Sequence, residues 1–270
     1  MSEQPFPAME THVLVLHEAC GVVAIQKPAG LATQAVAGID SMELRVRRML
    51  KARGEGEYLG IPHRLDRCVS GVMLFATTRR AARKLSRQFE RRQIRKRYLA
   101  LVEPPGSGIL PKPGEVWVDL VAKLADEPRG WIASAGNPAA KEARTQVAAV
   151  GRHQAAVTLQ LEPLTGRMHQ LRIQAACRGM PIVGDRLYGS TRPLTGSVFV
   201  DDPRQEEIAL AAISIEFVDP GEPNKPGSQV RRRVEAWPWW ATALERNPTG
   251  VAHPLEDPGM NPRIPGGVGN

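Results

Sequence analysis

The sequence predicts a single domain of the α+β class, in which short strands outnumber helices. Strand-like apolar runs recur along the chain, and two of them, residues 145–150 and 155–163, flank a short polar turn as the arms of an antiparallel hairpin do. Three other segments carry the apolar spacing of helices. A chain of 270 residues with 42% hydrophobic content can bury one sizeable core, and nothing in its length requires a second domain.

The first third of the chain predicts two strands and then a helix. Residues 12–28 form two short strands about a turn, and they end at Pro28 because proline cannot extend a central strand. Asp40 precedes Glu43 by three residues, which is the spacing of a capping box. We therefore expect the first helix to begin at Asp40.

The other two predicted helices carry the strongest local signals. One begins near Arg79, directly after the strand-like run 71–78. The other covers residues 166–180 and ends near Gly179, just before Pro181. The spacing predicts that the helix at Arg79 buries the stripe Ala82, Leu85 and Phe89.

Pro/Gly content and patterning predict where the domain ends. A loop after Asp219 leads into a tryptophan-rich segment that we expect to dock on the domain through Trp237, Trp239 and Trp240. The predicted boundaries are 1–10 for a flexible N-terminus, 11–219 for the domain, 220–245 for the docked extension and 246–270 for a disordered tail.

Composition excludes several classes of protein. Three widely spaced cysteines support neither a disulfide framework nor a zinc cluster. The sequence contains no apolar run long enough to predict a membrane span. We expect a cytoplasmic protein with no membrane partner. The net charge of +8 predicts a polyanionic partner, and it is concentrated in residues 79–97, which hold ten Lys/Arg and one acid.

The stretch "HRLDRCVSG", residues 63–71, places one carboxylate, Asp66, between Arg64 and Arg67. Taken alone, such an acid is most often part of a surface ion pair. Cys68, two residues later, is most simply a small buried thiol rather than a nucleophile. A choice between a structural and a catalytic Asp66 therefore needs other parts of the chain.

Four further stretches provide that context: "KPAG" at 27–30, "KRYLALV" at 96–102, "GRMHQLRIQ" at 166–174 and "GMPIVGDRLYG" at 179–189. In order and spacing, together with "HRLDRCVSG", they resemble the RluA-type RNA pseudouridine synthases, from about His12 to Phe217. The resemblance implies the pseudouridine synthase fold, which is a largely antiparallel mixed sheet with flanking helices and a central catalytic cleft.

The resemblance also implies an activity, the isomerisation of uridine in ribosomal or transfer RNA. The N1–C1′ bond is cleaved, the uracil turns, and C5 is joined to C1′. By family pattern Asp66 is the nucleophile, Arg172 is the basic residue that pairs with it, and Tyr98 stacks on the target base. Whether Asp66 attacks C1′, attacks C6 or acts through a glycal-like route stays open.

Elementary chemistry agrees with a lone acid in cationic surroundings. A nucleophilic carboxylate must stay ionised in a site that excludes water, and a nearby guanidinium offsets its desolvation. A hydrolytic glycosidase uses a second carboxyl group, whereas an isomerase reuses the detached base. No cofactor and no metal are expected, since the six histidines show no paired ligand spacing.

Arg64 has two predicted roles of equal weight: it enters the gap left by a flipped-out uridine, or it serves a phosphate or the local fold. His63 and His169 are predicted to be structural hydrogen-bonders with RNA contacts, and Asp185 a loop hydrogen-bonder that is not the nucleophile. The predicted outward face of the second helix supplies phosphate contacts. The RNA-binding candidates are Arg64, His63, Arg67, Arg80, Arg83, Arg87, Arg91, Arg167 and His169.

The sequence departs from the family pattern at Val69, Gln174 and Ala211, which we expect to affect RNA contacts and substrate choice more than the reaction. The motifs begin too early for an N-terminal S4 domain, and the absence of heptads predicts a monomer without an obligatory protein partner. Two alternatives remain: a non-catalytic RNA-binding or ribosome assembly factor that retains the fold, and a nucleoside or glycoside hydrolase that uses Asp66.

Overall fold

A computed structural model of the protein describes residues 12–35, 38–125, 127–152, 156–194, 206–221, 225 and 227–241. The predictions for residues 1–10 and 246–270 lie outside this part. The described residues form ten strands: β1 Leu14–Ala19, β2 Val22–Lys27, β3 Ser70–Ala76, β4 Arg95–Val102, β5 Val116–Lys123, β6 Gly130–Ile132, β7 Lys141–Arg152, β8 Val157–Pro163, β9 Leu210–Val218 and β10 Arg231–Glu235. The helices are α1 Met42–Ala52, α2 Arg79–Glu90 and α3 Gln170–Ala176, with a 3-10 helix at Arg186–Tyr188.

All ten strands belong to one sheet, in the order β1-β2-β3-β9-β4-β8-β7-β5-β6, and β10 pairs with residues 214–218 of β9. Neighbours are antiparallel except for β3 and β9, which run parallel over a short register. The predicted α+β class and the largely antiparallel mixed sheet are confirmed.

The parallel contact between β3 and β9 explains a glycine close to Asp66 in the chain. Gly71 pairs with Ala212 and has φ +121°, and a Cβ at this position would lie 2.2 Å from the Ala212 carbonyl oxygen. Only glycine permits this approach of two backbones. Gly71 thereby anchors the start of β3, and with it the end of the loop that carries Asp66, to the centre of the sheet.

The sheet separates two apolar clusters because alternate residues of β3 point to opposite faces. Met73 and Phe75 join the larger cluster, which also contains Leu65, Cys68 and Tyr98. Val72 and Leu74 join the cluster under α2. The active-site candidates Tyr98 and the Asp66 loop therefore rest on the larger core.

Helix α1 begins at Met42, two residues later than predicted. Ser41, rather than Asp40, is the N-cap, and its hydroxyl accepts a hydrogen bond from the Leu44 amide. Asp40 is bonded to the Arg45 guanidinium instead, and Glu43 accepts from the Ala35 amide. Serine and aspartate cap helices equally well, so spacing alone could not choose between neighbours.

Helix α2 begins at Arg79 as predicted, with Thr78 as its N-cap, but its buried stripe is rotated. Leu85 is fully buried as expected, whereas Ala82 and Phe89 are only half-buried and their places are taken by Ala81 and Gln88. Gln88 is buried because its side-chain amide exchanges two hydrogen bonds with the backbone of Val218 in β9. A prediction based on apolar spacing misses a buried polar residue whose hydrogen bonds are made in this way.

Helix α3 is much shorter than the predicted 166–180. His169, immediately before it, has the left-handed φ of +51°, which a continuing right-handed helix cannot include. At the other end Gly179 adopts φ +70°, in agreement with the expected stop. The helix therefore presents Arg172 from a short, rigid turn.

The segment after Asp219 adds strand β10 to β9 and then brings its tryptophans to the domain unequally. Trp240 is buried in the larger core and Trp237 packs against it, while Trp239 is 54% exposed. Trp239 still contacts the surface of the domain, where its Nε1 donates to the Glu207 carboxylate at 3.0 Å. Across the described residues, no helix is both long and apolar enough to cross a bilayer.

Candidate active site

The loop that carries Asp66 is held from both sides by residues 27–33. The hydroxyl of Thr33 bonds to the carbonyl and the amide of Leu65, at 2.7 and 3.2 Å, and the Gly30 amide donates to the Arg67 carbonyl at 2.8 Å. These bonds flank Asp66 directly in sequence. They leave its side chain 31% exposed, on a loop that cannot easily shift.

Lys27, from the "KPAG" stretch, is fully buried beneath this loop. Its ammonium donates to the carbonyls of Pro28 and Arg67, at 2.7 and 3.2 Å. Burial lowers the pKa of Lys27 to about 7. The side chain bonds to backbone carbonyls only, so its role is to hold the loop.

Arg172 forms the electrostatic centre of the site, as predicted. It is 4% exposed, and its Nη1 lies 3.4 Å from Asp66 Oδ2. Its Nε and Nη2 donate to the two carboxylate oxygens of Asp185, at 2.7 and 2.8 Å. Burial lowers the pKa of Arg172, but its hydrogen bonds to Asp185 and the nearby negative charges outweigh burial and raise the pKa above its ordinary value.

Asp185 corrects the interpretation of Asp66 as an acid with no second acid near it. The Asp185 carboxylate is 1% exposed and both of its oxygens are bound by Arg172. A bidentate pair of this kind fixes the plane of the guanidinium. Asp185 was predicted to be a loop hydrogen-bonder, but its bonds to Arg172 were not predicted, because a helix residue and a loop residue thirteen positions apart show no common spacing.

Tyr98 lies on β4 and lines a cavity of about 130 Å³ together with Asp66 and Arg172. It is 9% exposed. Burial, reinforced by the charge of Asp66, raises the pKa of the Tyr98 phenol above its ordinary value, so the hydroxyl stays protonated at neutral pH. The ring and a protonated hydroxyl are thus both available at this cavity.

Lys96 precedes Tyr98 by two residues and therefore projects from the same face of β4. It is half-buried and lines the same cavity, and burial lowers its pKa. No acceptor for its ammonium lies among the described residues. Lys96 was part of a recognised motif but was not predicted as a site residue.

A second, larger cavity of about 470 Å³ adjoins the first. Asp66 stands where the two meet, and the groups common to both linings are Arg64, Leu65, Asp66, His169 and Arg172. Arg64 is exposed at this junction, at 3.4 Å from the Gln34 side chain. Arg67 lines the larger cavity, where its Nε donates to the Gly30 carbonyl, and Arg167 lines the smaller one.

His169 reaches the site from the residue before α3. Its Nε2 lies 3.7 Å from Asp66 Oδ2, and its Nδ1 lies 2.8 Å from the Tyr188 hydroxyl. Burial is the main influence and lowers the pKa of His169, against the opposite effect of Asp66. Tyr188, like Asp185, belongs to the "GMPIVGDRLYG" stretch and was not predicted as a site residue.

The side chains of two RNA-binding candidates, His63 and Arg80, make their contacts within the protein. The ring of His63 stacks on Phe89 of α2, its Nε2 accepts from the Leu74 amide at 2.9 Å, and burial lowers its pKa to about 3. The Arg80 guanidinium donates to the carbonyls of Pro220 and Gly221, at 2.8 and 2.7 Å. We do not retain either residue as an RNA contact.

The other basic candidates on or beside α2 point outward. Arg83, Arg87 and Arg91 are exposed, and no acceptor for their side chains lies in the described part of the chain. Arg167, the remaining basic candidate, lies just before α3 rather than on α2; it is half-buried, and its Nε donates to the Glu142 carbonyl at 2.9 Å.

The three departures from the family pattern are buried positions. Val69 and Ala211 are 3% and 1% exposed. Gln174 is fully buried, where it accepts from the Thr145 hydroxyl at 2.6 Å and donates to Asp119 at 2.6 Å. Val69 also lines the smaller cavity, whereas Gln174 and Ala211 belong to neither cavity lining.

Cys68 is buried, and burial raises the pKa of its thiol to about 12, in agreement with a structural role. Among the described residues, His, Cys, Asp and Glu side chains form no cluster of three or more that could bind a metal ion. The polar groups common to the two cavities are thus one carboxylate, two guanidinium groups and one imidazole, and the phenol of Tyr98 lines the smaller cavity. This set can hold an ionised nucleophile beside a planar aromatic substrate.

Comparison with known proteins agrees with this geometry. The model of the RNA pseudouridylate synthase family matches residues 21–177. The dual-specificity RNA pseudouridine synthase RluA of Salmonella typhimurium is 33% identical over 193 residues, which are 70% of this chain and 83% of that protein. The ribosomal large subunit pseudouridine synthase C of Vibrio vulnificus is 29% identical over 233 residues, which are 84% of this chain and 70% of that protein.

Solved structures support the fold. Human RNA pseudouridylate synthase domain containing 4 superimposes with a TM-score of 0.64 at 21% identity, over 86% of this chain and 92% of that chain. The match of the family model, the two bacterial relatives and the arrangement around Asp66 lead to one conclusion. The chain belongs to the RNA pseudouridylate synthase family, in its RluA-type group.

Proposed function

We propose that Asp66 is the nucleophile with which this pseudouridine synthase isomerises specific uridines of structured RNA. The observation that carries the proposal is the position of Asp66: its carboxylate belongs to the linings of both cavities and lies 3.4 Å from the Arg172 guanidinium. A partly exposed carboxylate beside a buried cation is ionised and accessible, which nucleophilic attack requires.

Arg172 keeps Asp66 charged and oriented once RNA excludes water from the cleft. Its guanidinium is already fixed by two hydrogen bonds to Asp185, so it loses little rotational freedom when it binds Asp66. A cation that is fixed before the substrate arrives stabilises an anionic nucleophile without reorganisation.

Tyr98 and the smaller cavity receive the target base. A flipped-out uracil needs a flat apolar surface and a polar tip, and the buried ring and protonated hydroxyl of Tyr98 offer both. The larger cavity then accommodates the neighbouring backbone, and exposed Arg64 stands where it can enter the gap that the uridine leaves. No metal or other cofactor is part of this proposal, because the reaction exchanges one bond for another without net oxidation or hydrolysis.

The substrate in this proposal is ribosomal or transfer RNA. One relative is named for the ribosomal large subunit, and the exposed arginines of α2, together with Arg67 and Arg167, supply cationic groups for RNA phosphates. We further propose that the enzyme is monomeric and cytoplasmic and needs no protein partner.

Product analysis with the Asp66→Asn variant tests the proposal. RNA that carries tritium at C5 of uridine loses that label when C5 is joined to C1′, and we expect release of the label by the wild-type protein and none by the variant. Binding of RNA should persist in the variant. Asp40→Asn is the matched control, since Asp40 pairs with Arg45 on α1 and lies outside both cavity linings.

The same assay separates the two alternatives. A non-catalytic RNA-binding protein would bind RNA and release no label in either form. A hydrolase would instead liberate free uracil that retains its C5 label. Either result with the wild-type protein and a range of ribosomal and transfer RNAs would contradict the proposed activity.

A further inference from the structure

His169 is held in an unusual backbone conformation at the edge of the active site. It is one of three non-glycine residues with positive φ in the described part of the chain, the others being Cys20 and Arg92. A left-handed conformation is unfavourable for residues other than glycine and is kept where the surroundings demand it. Here it directs the imidazole between Asp66 and Tyr188.

The two nitrogens of the His169 ring have different neighbours. Nδ1 lies 2.8 Å from the Tyr188 hydroxyl oxygen, and Nε2 lies 3.7 Å from Asp66 Oδ2. The side chain is 13% exposed, so water does not easily replace either neighbour. The imidazole therefore connects Tyr188 to the carboxylate that we assign as the nucleophile.

The hydrogen bonds of Tyr188 determine which nitrogen of His169 carries the proton. The Gly130 amide donates to the Tyr188 hydroxyl oxygen at 3.0 Å, so this oxygen already accepts one bond and its own proton is available for another. The pKa of His169 is lowered, mainly by burial, so the ring is neutral and has one N–H. If Tyr188 donates to Nδ1, the N–H must be at Nε2.

Two further contacts favour the same tautomer. The Arg172 and Arg129 guanidinium groups lie 4.9 and 5.7 Å from the centre of the Tyr188 ring. Burial raises the pKa of the Tyr188 phenol, so the hydroxyl keeps its proton, and the charge of Arg172 acts in the opposite direction and strengthens the hydroxyl as a donor. The opposite tautomer would direct the lone pair of Nε2 at the Asp66 carboxylate oxygen, where two acceptors repel each other.

We propose that Tyr188 is a positioning residue that fixes the Nε2–H tautomer of His169, and that His169 donates a hydrogen bond to Asp66 Oδ2 when RNA closes the site. The inference deepens the proposed function and rests on Asp66 as the nucleophile. The present separation of 3.7 Å is longer than a hydrogen bond, and catalytic hydrogen bonds commonly shorten when substrate binds. Asp66 is then held from two directions, by Arg172 and by His169.

The tautomer can be measured without any catalytic assay. Correlation NMR of the imidazole ¹⁵N nuclei distinguishes a protonated from an unprotonated nitrogen. In the full-length wild-type protein at neutral pH we expect His169 Nε2 to be protonated, and in Tyr188→Phe we expect a mixture of tautomers. Tyr58→Phe is the matched control, because it removes a tyrosine hydroxyl beside Arg79, away from the cleft.

Two substitutions of His169 separate positioning of Asp66 from support of Tyr188. The amide nitrogen of His169→Gln reaches the place of Nε2 and keeps a donor for Asp66. The shorter amide of His169→Asn reaches only the place of Nδ1, although asparagine tolerates a left-handed backbone well. At saturating RNA, the single-turnover rate should fall about 10- to 100-fold in His169→Asn, the range expected when a hydrogen bond to a charged group is removed. It should fall much less in His169→Gln.

The proposal is overturned by an Nδ1–H tautomer in the wild-type protein, or by His169→Asn that is as active as His169→Gln or more so. The second outcome would show that His169 only supports Tyr188. Either result leaves the proposed function intact as long as the wild-type protein forms pseudouridine and Asp66→Asn does not.

Discussion

The active-site cleft and helix α2 are both rich in arginine, and they use it in opposite ways. Arg172 in the cleft is 4% exposed and binds the carboxylates of Asp185 and Asp66. Arg83 and Arg87 on α2 are exposed to solvent and bind no acceptor among the described residues. A buried, paired cation can act on a reacting group, whereas an exposed one attracts anions through solvent, where salt screens the interaction.

Helix α2 itself shows a second difference of the same kind. Arg80 and Lys84 donate to the Pro220 carbonyl, and Gln88 bonds to Val218, so one row of the helix ties it to the end of β9. The adjacent row faces solvent. The number of positive charges in this helix therefore overestimates the positive surface that is available to RNA, because some of these side chains bond to the protein's own backbone.

The largest expected effect concerns Arg172. Arg172→Met leaves the buried Asp185 carboxylate without its partner, so we expect the free energy of unfolding to fall by about 3–5 kcal/mol and most activity to disappear. Urea unfolding and single-turnover assays measure the two effects. Arg172→Lys is the control that keeps the charge and removes the planar fork, and it should recover stability better than activity. Wild-type rates in Arg172→Met would place this residue outside the chemistry.

Tyr98 is expected to show the next largest effect. Tyr98→Leu removes both the aromatic face and the hydroxyl, and removal of one stacked base corresponds to about 1–3 kcal/mol. Tyr98→Phe keeps the aromatic face and should retain much of the affinity for the transition state. The difference in kcat/KM between Tyr98→Phe and the wild type then measures the contribution of the hydroxyl. Comparison of kcat/KM for the two variants, with folding checked by circular dichroism, gives the answer. Equal impairment of both would exclude stacking as the main role of Tyr98.

The exposed row of α2 is expected to affect binding alone. Replacement of Arg83, Arg87 and Arg91 by Gln should weaken RNA binding and reduce the slope of log K against log salt by about 0.7 for each phosphate that is no longer neutralised. The single-turnover rate at saturating RNA should change little. Arg80→Gln is the matched control, since it removes one charge from the same helix and should lower thermal stability without a change in the salt slope. An unchanged slope in the triple variant would show that this face is merely solvated.

A pH-dependent effect on stability concerns His63, which joins the two regions because it contacts Phe89 of α2 and lies three residues before Asp66. Burial lowers the pKa of His63 from 6.5 to about 3, so between these values the unfolded chain binds a proton that the folded protein does not. Stability should therefore be complete above pH 6.5 and fall on acidification, with His63 contributing at most about 1.4 kcal/mol per pH unit.

Thermal unfolding between about pH 7 and pH 4 measures this contribution. His63→Gln should show a shallower decline of stability on acidification than the wild-type protein, because its side chain does not titrate. The same pH dependence in both proteins would mean that other groups determine the acid response.

The sequence predicted those features that depend on local patterns or on the family resemblance. The strand pair β1–β2, the start of α2, and the meeting of Asp66, Tyr98 and Arg172 at one cavity are examples. Features that depend on tertiary contacts were not predictable. Asp185 and Tyr188 belong to a recognised motif, but only the fold brings Asp185 to Arg172 and Tyr188 to His169. The bond of Arg80 to a residue 140 positions away likewise leaves no trace in local spacing.

The most direct test of the account compares the two carboxylates around Arg172. Asp66→Asn and Asp185→Asn each remove one negative charge next to the same guanidinium, and only Asp66 lines both cavities. Single-turnover formation of pseudouridine at saturating RNA should be undetectable in Asp66→Asn and slow but measurable in Asp185→Asn, with RNA affinity near that of the wild type in both. Formation of pseudouridine by Asp66→Asn at the wild-type rate, or its absence in Asp185→Asn alone, would contradict the assignment of Asp66 as the nucleophile.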